Sequence, residues 1–159
     1  MQKILLIFLI LITSIFSGTP EIISGKVVGV IDGDTIKVIT LQKDLFKIRL
    51  AEIDAPEKKQ AYGKKAKWYL SDLIYGKFVT VRITTKDHYG RYIGTVYLGN
   101  ENINFKMVQN GYAWVYKRYM KTSSLIGWEN VARANKLGLW KDNYAIAPWE
   151  FRKNKRKKQ

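Results

Sequence analysis

The acidic side chains that could do chemistry lie in two short segments of a chain that is otherwise poor in acids. Asp32 and Asp34 belong to the segment Asp-Gly-Asp-Thr, and Asp54 and Glu57 belong to Ile-Asp-Ala-Pro-Glu. Asp-Gly between two strands is typical of a tight turn, and the second segment alone could be a solvated loop. Neighbouring carboxylates repel one another, however, and a divalent cation such as calcium or magnesium, which prefers carboxylate and carbonyl oxygens, would relieve that repulsion.

Two arginines could supply the opposite charge. Arg49 alternates with Lys47 on a predicted strand, and Arg91 closes the segment Asp-His-Tyr-Gly-Arg. Read singly, each is compatible with an ordinary surface strand or turn. Together they could bind a phosphate, because a planar guanidinium donates to two phosphate oxygens at once and two such groups can neutralise charge on a five-coordinate phosphorus. Carboxylates for a cation, arginines for a phosphate and a glutamate for water are the parts of a phosphodiesterase.

The composition excludes several other chemistries. The 159 residues contain no Cys and a single His, which removes disulfides, thiolate nucleophiles, Cys-ligated metals and any site with two His ligands. With 28 Lys and Arg against 13 Asp and Glu, the formal net charge is +15. Such a charge predicts an anionic partner: nucleic acid, an anionic membrane surface or an acidic polymer.

Both ends of the chain differ from its middle. Residues 1–18 have an early lysine, an apolar run and then small residues, which predicts a signal peptide or an uncleaved anchor and hence a secreted, periplasmic or envelope protein. Residues 151–159 contain six cations and no acid. We expect them to form a disordered basic tail, with contact to an anionic surface as the functional alternative. Residues 19–150 are expected to be one domain.

The elements that must position these residues follow from the hydrophobic periodicity. Short β-branched runs predict strands at residues 22–31, 35–40, 45–51, 77–85 and 91–98. Helical spacing predicts helices at residues 60–74, 102–109 and 123–136. Five short strands with a helix between the third and the fourth predict an α+β fold: a Greek-key barrel of the OB type with about three helices.

Five segments in this order resemble the staphylococcal nuclease (thermonuclease) family of secreted, calcium-dependent nucleases. The resemblance spans residues 24–140 and is carried by residues 30–35, 48–50 with 53–57, 87–91, 113–116 and 137–140. It implies hydrolysis of DNA and RNA by a monomer with little sequence preference. The bond broken would join phosphorus to the 5′ oxygen, leaving 3′-phosphate ends.

The resemblance also implies a role for each residue above. It places calcium ligands at Asp34, Asp54 and the backbone carbonyl of Ala55, a water-orienting carboxylate at Asp32, a general base or water-positioning group at Glu57, and phosphate-binding groups at Arg49 and Arg91. Substrate contacts are implied at His88, Tyr89, Trp114 and Tyr116, the last two by base stacking or, alternatively, as packing residues only.

The chain departs from the best-known member of that family at three places. Ala55 replaces a threonine, which a backbone ligand tolerates, and His88 replaces a lysine near a terminal phosphate. Residues 57–62 form a shorter loop beside the site. Two other functions remain open: a non-catalytic barrel that binds nucleic acid, and an envelope-anchored protein that binds polyanions. The presence of all five charged site residues favours catalysis.

Overall fold

A computed structural model describes residues 21–157, so the predicted signal segment at residues 1–18 lies outside the described part of the chain. Five strands form a barrel: β1 (Ile22–Val30), β2 (Thr35–Ile39), β3 (Leu45–Leu50), β5 (Phe78–Lys86) and β6 (Tyr92–Leu98). Three two-residue strands accompany them: β4 (Ile53–Asp54), β7 (Glu101–Asn102) and β8 (Trp114–Val115).

A parallel pairing closes the barrel. β1 pairs antiparallel with β2 and β5, β2 pairs with β3, and β5 pairs with β6. β3 then runs parallel to β6, with Ile48 opposite Tyr92 and Leu50 opposite Gly94. The predicted α+β fold with a five-stranded OB-type barrel is confirmed. A separate pairing of β4 with β8 connects the end of the first three-strand meander to the segment that follows the second helix.

In the described part of the chain, four α-helices surround the barrel: α1 (Gly63–Ile74), α2 (Ile103–Gln109), α3 (Ser124–Ala134) and α4 (Pro148–Lys157). The first three match the predicted helices. Within residues 21–157, no helix is long and apolar enough to cross a membrane.

The fourth helix corrects the expectation of a disordered tail, because residues 151–157 are helical. Like-charge runs usually stay unfolded, but this run is attached to an apolar start at Pro148 and Trp149. Basic residues also fill the last turn of α4, where positive charge stabilises the partial negative charge of a helix C-terminus.

Alternating burial along the strands explains how the barrel forms. In β1, Ile23, Gly25 and Val27 are buried, whereas Ser24 and Lys26 between them are exposed, which is the period of two expected of a strand. α1 contributes Ala66, Leu70 and Ile74, each completely buried, at helical spacing. The barrel interior and one face of α1 therefore share a single core.

A buried asparagine fastens the second helix to the barrel near the acidic segments. Asn104 accepts a hydrogen bond from the N–H of Val96 at 3.0 Å and donates to the carbonyls of Ala51 and Gly94 at 2.9 and 3.3 Å. Because buried polar groups are costly when unpaired, this network fixes the chain where β3 ends. β4, which carries Asp54, begins two residues after Ala51.

Candidate active site

Two buried aspartates meet at one end of the barrel. Asp34 precedes β2 and is 7% exposed, whereas Asp54 ends β4 and is 1% exposed. One oxygen of Asp34 accepts from the hydroxyl of Thr35 at 2.9 Å, and the other accepts from the N–H of Ala55 at 3.0 Å. The bond to Ala55 ties the two acidic segments together.

Arg49 bridges the two aspartates from the neighbouring strand. Its Nη2 lies 3.4 Å from Asp34 Oδ2 and 3.1 Å from Asp54 Oδ1, and its Nη1 donates to the carbonyls of Leu50 and Ile53 at 3.1 Å. The side chain is only 13% exposed. Arg49 thus lies within the acidic cluster, where its fixed guanidinium can serve both the carboxylates and a bound anion.

A second guanidinium reaches the cluster from α4 and was missed by the sequence analysis. Arg152 Nη2 lies 2.7 Å from Asp54 Oδ2, and Arg152 Nη1 lies 2.7 Å from Glu57 Oε1 and 3.2 Å from Asp54 Oδ1. The arginine therefore connects Asp54 to Glu57. No sequence signal separates Arg152 from its basic neighbours, because only the docking of α4 distinguishes it.

Burial and neighbouring charges shift the pKa values of the aspartates. Burial raises the pKa of Asp54, and the nearby Asp34 charge adds to that rise, while hydrogen bonds and charge from Arg152 and the charge of Arg49 lower it. Burial and the Asp34 charge raise the pKa of Asp32 to about 6. Asp32 also accepts a hydrogen bond from the N–H of Asp34 at 3.1 Å. A cation in the cluster would favour the charged form of each carboxylate.

The donor set suits a hard cation. Within residues 21–157, no three side chains among Asp, Glu, His and Cys converge as a ready metal cluster. Two buried carboxylates converge, however, and the chain passes directly from Asp54 to Ala55, whose carbonyl is a third candidate oxygen. Carboxylate and carbonyl oxygens, completed by water, match the preferences of calcium. Asp34, Asp54 and Ala55 therefore fit calcium, the cation that the family resemblance implies.

The loop that carries Glu57 is held against the start of α1. The Glu57 N–H donates to Gln60 Oε1 at 3.1 Å, and Gln60 Nε2 donates to the carbonyl of Ile146 at 2.6 Å. Gly63 approaches so closely that a Cβ there would lie 1.9 Å from the Glu57 carbonyl oxygen. Only glycine fits this position without moving the loop.

A strained glutamate braces the turn between β3 and β4. Glu52 has φ of 65°, which is uncommon for a residue other than glycine. Its carboxylate accepts from the N–H groups of Lys121 and Thr122 and from the Thr122 hydroxyl, and its carbonyl accepts from the Tyr116 N–H. The turn before Asp54 is therefore tied to residues 116–122.

Arg91 lies apart from the acidic cluster. Asp87 holds it by accepting from its backbone N–H at 2.9 Å and from its Nε at 2.8 Å. Although burial alone would raise the pKa of Asp87, these hydrogen bonds and the Arg91 charge lower it. In the described residues, no ion pair joins Arg91 to Asp34, Asp54 or Glu57. Arg91 nevertheless precedes β6, the strand that lies alongside Arg49's strand.

His88 and Tyr89 lie in the turn between Asp87 and Arg91. Their rings are 3.8 Å apart, Tyr89 is 73% exposed, and the Arg91 guanidinium lies 5.5 Å from the Tyr89 ring. Gly90, with φ of 77°, supplies the left-handed residue that the turn requires. The structure therefore places the two predicted substrate contacts beside Arg91 and on the surface.

The two aromatic residues proposed for base stacking have different surroundings. Trp114 is half-buried, with Trp140 at 4.4 Å and the Arg133 guanidinium at 4.5 Å from its ring. Tyr116 stacks on Trp149 of α4, with ring centroids 5.5 Å apart and planes 2° apart. Trp114 is thus part of a packed cluster, the alternative that the sequence left open, and Tyr116 helps to dock α4.

A basic groove runs along the start of α1 next to the site. It has a volume of about 550 Å³ and is lined by Lys58, Lys59, Gln60, Tyr62, Lys64, Lys65 and Trp68. A smaller neighbouring recess of about 240 Å³ includes Asp32 and Lys67. Trp68 is 62% exposed. Lysines around an exposed indole suit a polyanion with flat rings.

This barrel, with its acidic cluster and arginines, is of the class that hydrolyses nucleic acids. Comparison with known proteins supports this class. The family described as staphylococcal nuclease homologue matches residues 47–142. A Haemophilus influenzae protein described as an uncharacterized endonuclease is 42% identical over 156 residues, covering 98% of this chain and 88% of that protein. A Shigella flexneri micrococcal nuclease is 41% identical over 140 residues, covering 81% of this chain and 80% of that protein.

A third relative, an Escherichia coli protein also described as an uncharacterized endonuclease, is 46% identical over 134 residues, covering 84% of this chain and 87% of that protein. The chain belongs to the staphylococcal nuclease family. Its membership identifies it as a nuclease, a hydrolase whose substrate is nucleic acid.

Proposed function

We propose that this nuclease is a calcium-dependent endonuclease that cleaves DNA and RNA with little sequence preference and leaves 3′-phosphate ends. The observation that carries the proposal is that Asp34 and Asp54 converge on Arg49, whose Nη2 lies within 3.4 Å of both carboxylates, while Arg152 joins Glu57 to Asp54. The Shigella flexneri relative described as a micrococcal nuclease supports the same activity.

Each residue then has a defined task. Asp34, Asp54 and the Ala55 carbonyl hold calcium, which supplies positive charge to a phosphate oxygen when bound. Glu57, with a 40% exposed side chain, accepts a proton from the attacking water or orients it. Arg49 donates to the phosphate as negative charge develops on its oxygens.

Arg91 joins Arg49 as the second phosphate-binding group. β6, which begins directly after it, lies alongside the strand of Arg49, and the Arg91 side chain is 23% exposed and paired only with Asp87 among the described residues. A phosphate can therefore meet this guanidinium from the solvent side. Asp32 orients a bound water through its position next to Asp34.

The substrate follows the basic groove of α1 toward the cluster. Lys58 lines the groove and comes directly after Glu57, so a strand lying in the groove continues to the acidic residues. Phosphates contact lysines without reading sequence, and a base can stack on the exposed Trp68. Contacts of this kind are the reason that we expect the enzyme to have little sequence preference.

Cleavage of an end-labelled single-stranded DNA tests the proposal. We expect the purified protein to cut with calcium and not with a chelator, and to leave 3′-phosphate ends. Glu57→Gln should lower turnover at saturating calcium by about 100-fold or more, the usual contribution of general acid–base catalysis, because it removes the proton acceptor. Calcium affinity, measured by calorimetry, should change far less.

The matched control is Glu101→Gln, which makes the same change on a surface glutamate paired with Lys106 at 2.9 Å. Full turnover in Glu57→Gln would overturn the assignment of the base. Binding of DNA without cutting, whichever divalent ion is added, would instead favour a non-catalytic nucleic-acid-binding barrel.

We also propose that residues 1–18 direct export of the enzyme to the envelope or the medium, on the strength of their apolar run alone. Amino-terminal sequencing of protein recovered from the cell envelope and the medium tests this proposal. Recovery of the uncleaved chain in the cytoplasm alone would contradict it.

A further inference from the structure

Arg152 is the residue of α4 that reaches the acidic cluster, and packing of the helix directs it there. Trp149 lies three residues earlier, on the same face of the helix. Its ring stacks on Tyr116 and meets the edge of Trp114 with centroids 5.7 Å apart. The helix is therefore docked beside the site, one turn from the guanidinium.

The contacts of Arg152 involve two different parts of the proposed chemistry. Its Nη2 and Nη1 lie against both oxygens of Asp54, a proposed calcium ligand. Its Nη1 also donates to Glu57 at 2.7 Å. Among the described residues, this is the single hydrogen bond that the Glu57 carboxylate receives. Arg152 itself is 35% exposed, so its side chain has room to shift.

We propose that Arg152 is a positioning residue of the active site that holds Glu57 in place and competes with the divalent cation for Asp54. The inference rests on the proposed function for the identity of the cation and of the base. A guanidinium and a cation both require the negative charge of the Asp54 oxygens, so each weakens the other's binding. The bond to Glu57 can persist when an Asp54 oxygen is given to the cation.

Calcium titration by calorimetry, without nucleic acid, tests the competition. We expect Arg152→Gln to bind calcium about tenfold more tightly than the wild type, because a competing charge-assisted hydrogen bond is removed. The calcium affinity of Arg152→Lys should lie between those of the wild type and Arg152→Gln. Lysine keeps the charge but lacks the planar guanidinium that reaches both carboxylates.

The matched control is Arg156→Gln, which removes the same charge from an exposed position one turn later on α4. Among residues 21–157, Arg156 donates only to the Arg152 carbonyl, at 3.5 Å. Its loss should leave calcium affinity nearly unchanged, because charges exposed to solvent are screened by salt.

Single-turnover cleavage at saturating calcium tests the positioning of Glu57. We expect Arg152→Gln to slow cleavage in the wild-type background but to have little further effect when combined with Glu57→Gln, because its role passes through that carboxylate. Tighter calcium binding together with slower cleavage is a pair of changes that simple loss of folding would not produce. Hydrogen exchange of α4 in Arg152→Gln confirms that the helix remains docked through Trp149.

Equal or weaker calcium binding by Arg152→Gln would overturn the competition. If Arg152→Gln slowed cleavage as much in the Glu57→Gln background as in the wild type, the proposed positioning of Glu57 would be overturned. Failure of the proposed function has a different result: a wild type that never cuts in a calcium-dependent manner, while the calorimetric comparison still reports on Arg152.

Discussion

Arg49 and Arg152 set the electrostatics of this site, because each pairs with the buried carboxylate of Asp54. Asp34, Asp54 and Arg49 could be recognised because their residue types and spacing fit a phosphodiesterase. Their pairing could not, since it depends on distances across strands. Arg152 was hidden because a lysine- and arginine-rich run gives every cation in it the same appearance. The burial of Asp54 is what makes these pairings matter, because a buried charge needs a partner.

Asp87 allows a test of a single charged pair that does not depend on catalysis. Its pKa is lowered in the folded protein, so the unfolded chain binds more protons as the pH falls. The stabilisation should be complete above the usual aspartate pKa of about 4 and be lost as the pH drops through the lowered value. Asp87→Asn should therefore unfold more readily than the wild type at pH 6, with a smaller difference at pH 3.

Urea unfolding at the two pH values measures this difference. Asp44→Asn is a suitable control, because Asp44 is an exposed loop aspartate before β3. If the difference in free energy of unfolding between the wild type and Asp87→Asn were the same at pH 3 as at pH 6, the charge of the Asp87–Arg91 pair would contribute nothing to stability.

At the scale of elements, the strands and the first three helices could be predicted because their periodicity is regular. The two-residue strands β4 and β8 could not, since so short a segment has no period to read, yet their pairing places Asp54 opposite Trp114. α4 was missed for a different reason. Its helical state depends on tertiary contacts of Trp149 and Arg152, which local sequence does not contain.

Gly63 shows how one element positions another. In Gly63→Ala the new methyl group would overlap the Glu57 carbonyl oxygen, so the loop must move. A displacement of the base by about 1 Å can cost on the order of 100-fold in rate. We expect Gly63→Ala to lower cleavage by at least about tenfold while a cooperative unfolding transition remains.

Gly127→Ala is the matched control, because Gly127 lies in α3 and a Cβ there meets nothing within 4 Å. This variant should cut normally and gain about 0.5 to 1 kcal/mol of stability from helix propensity. Cleavage by Gly63→Ala at the rate of Gly127→Ala would show that the close approach does not position Glu57.

For the whole molecule, the net charge of +15 foretold an anionic substrate but not where it would bind. The structure gathers several of the lysines in the groove of α1, beside the acidic cluster. The molecule therefore presents positive charge for binding and a small negative centre for chemistry. Electrostatic attraction of this kind raises the rate of encounter and weakens as salt increases.

Salt dependence of binding to single-stranded DNA measures the contribution of the groove. Each phosphate contact on a single strand adds about 0.7 to the slope of log affinity against log salt. In the Glu57→Gln background, which slows cutting, Lys64→Gln with Lys65→Gln, both in the groove, should reduce that slope by about 1.4. Lys26→Gln with Lys37→Gln, exposed on β1 and β2, removes the same charge elsewhere. An equal reduction in both double variants would mean that the groove has no special role.

The tryptophan cluster beside the site has an optical consequence. Trp149 packs against Tyr116 and Trp114, and Trp114 against Trp140, whereas Trp68 stands largely in water on α1. Indole emission depends on how much water surrounds the ring, so these residues emit from two distinct environments. The protein consequently carries unlabelled fluorophores at the joint where α4 meets the barrel and in the groove, besides the exposed Trp128 of α3.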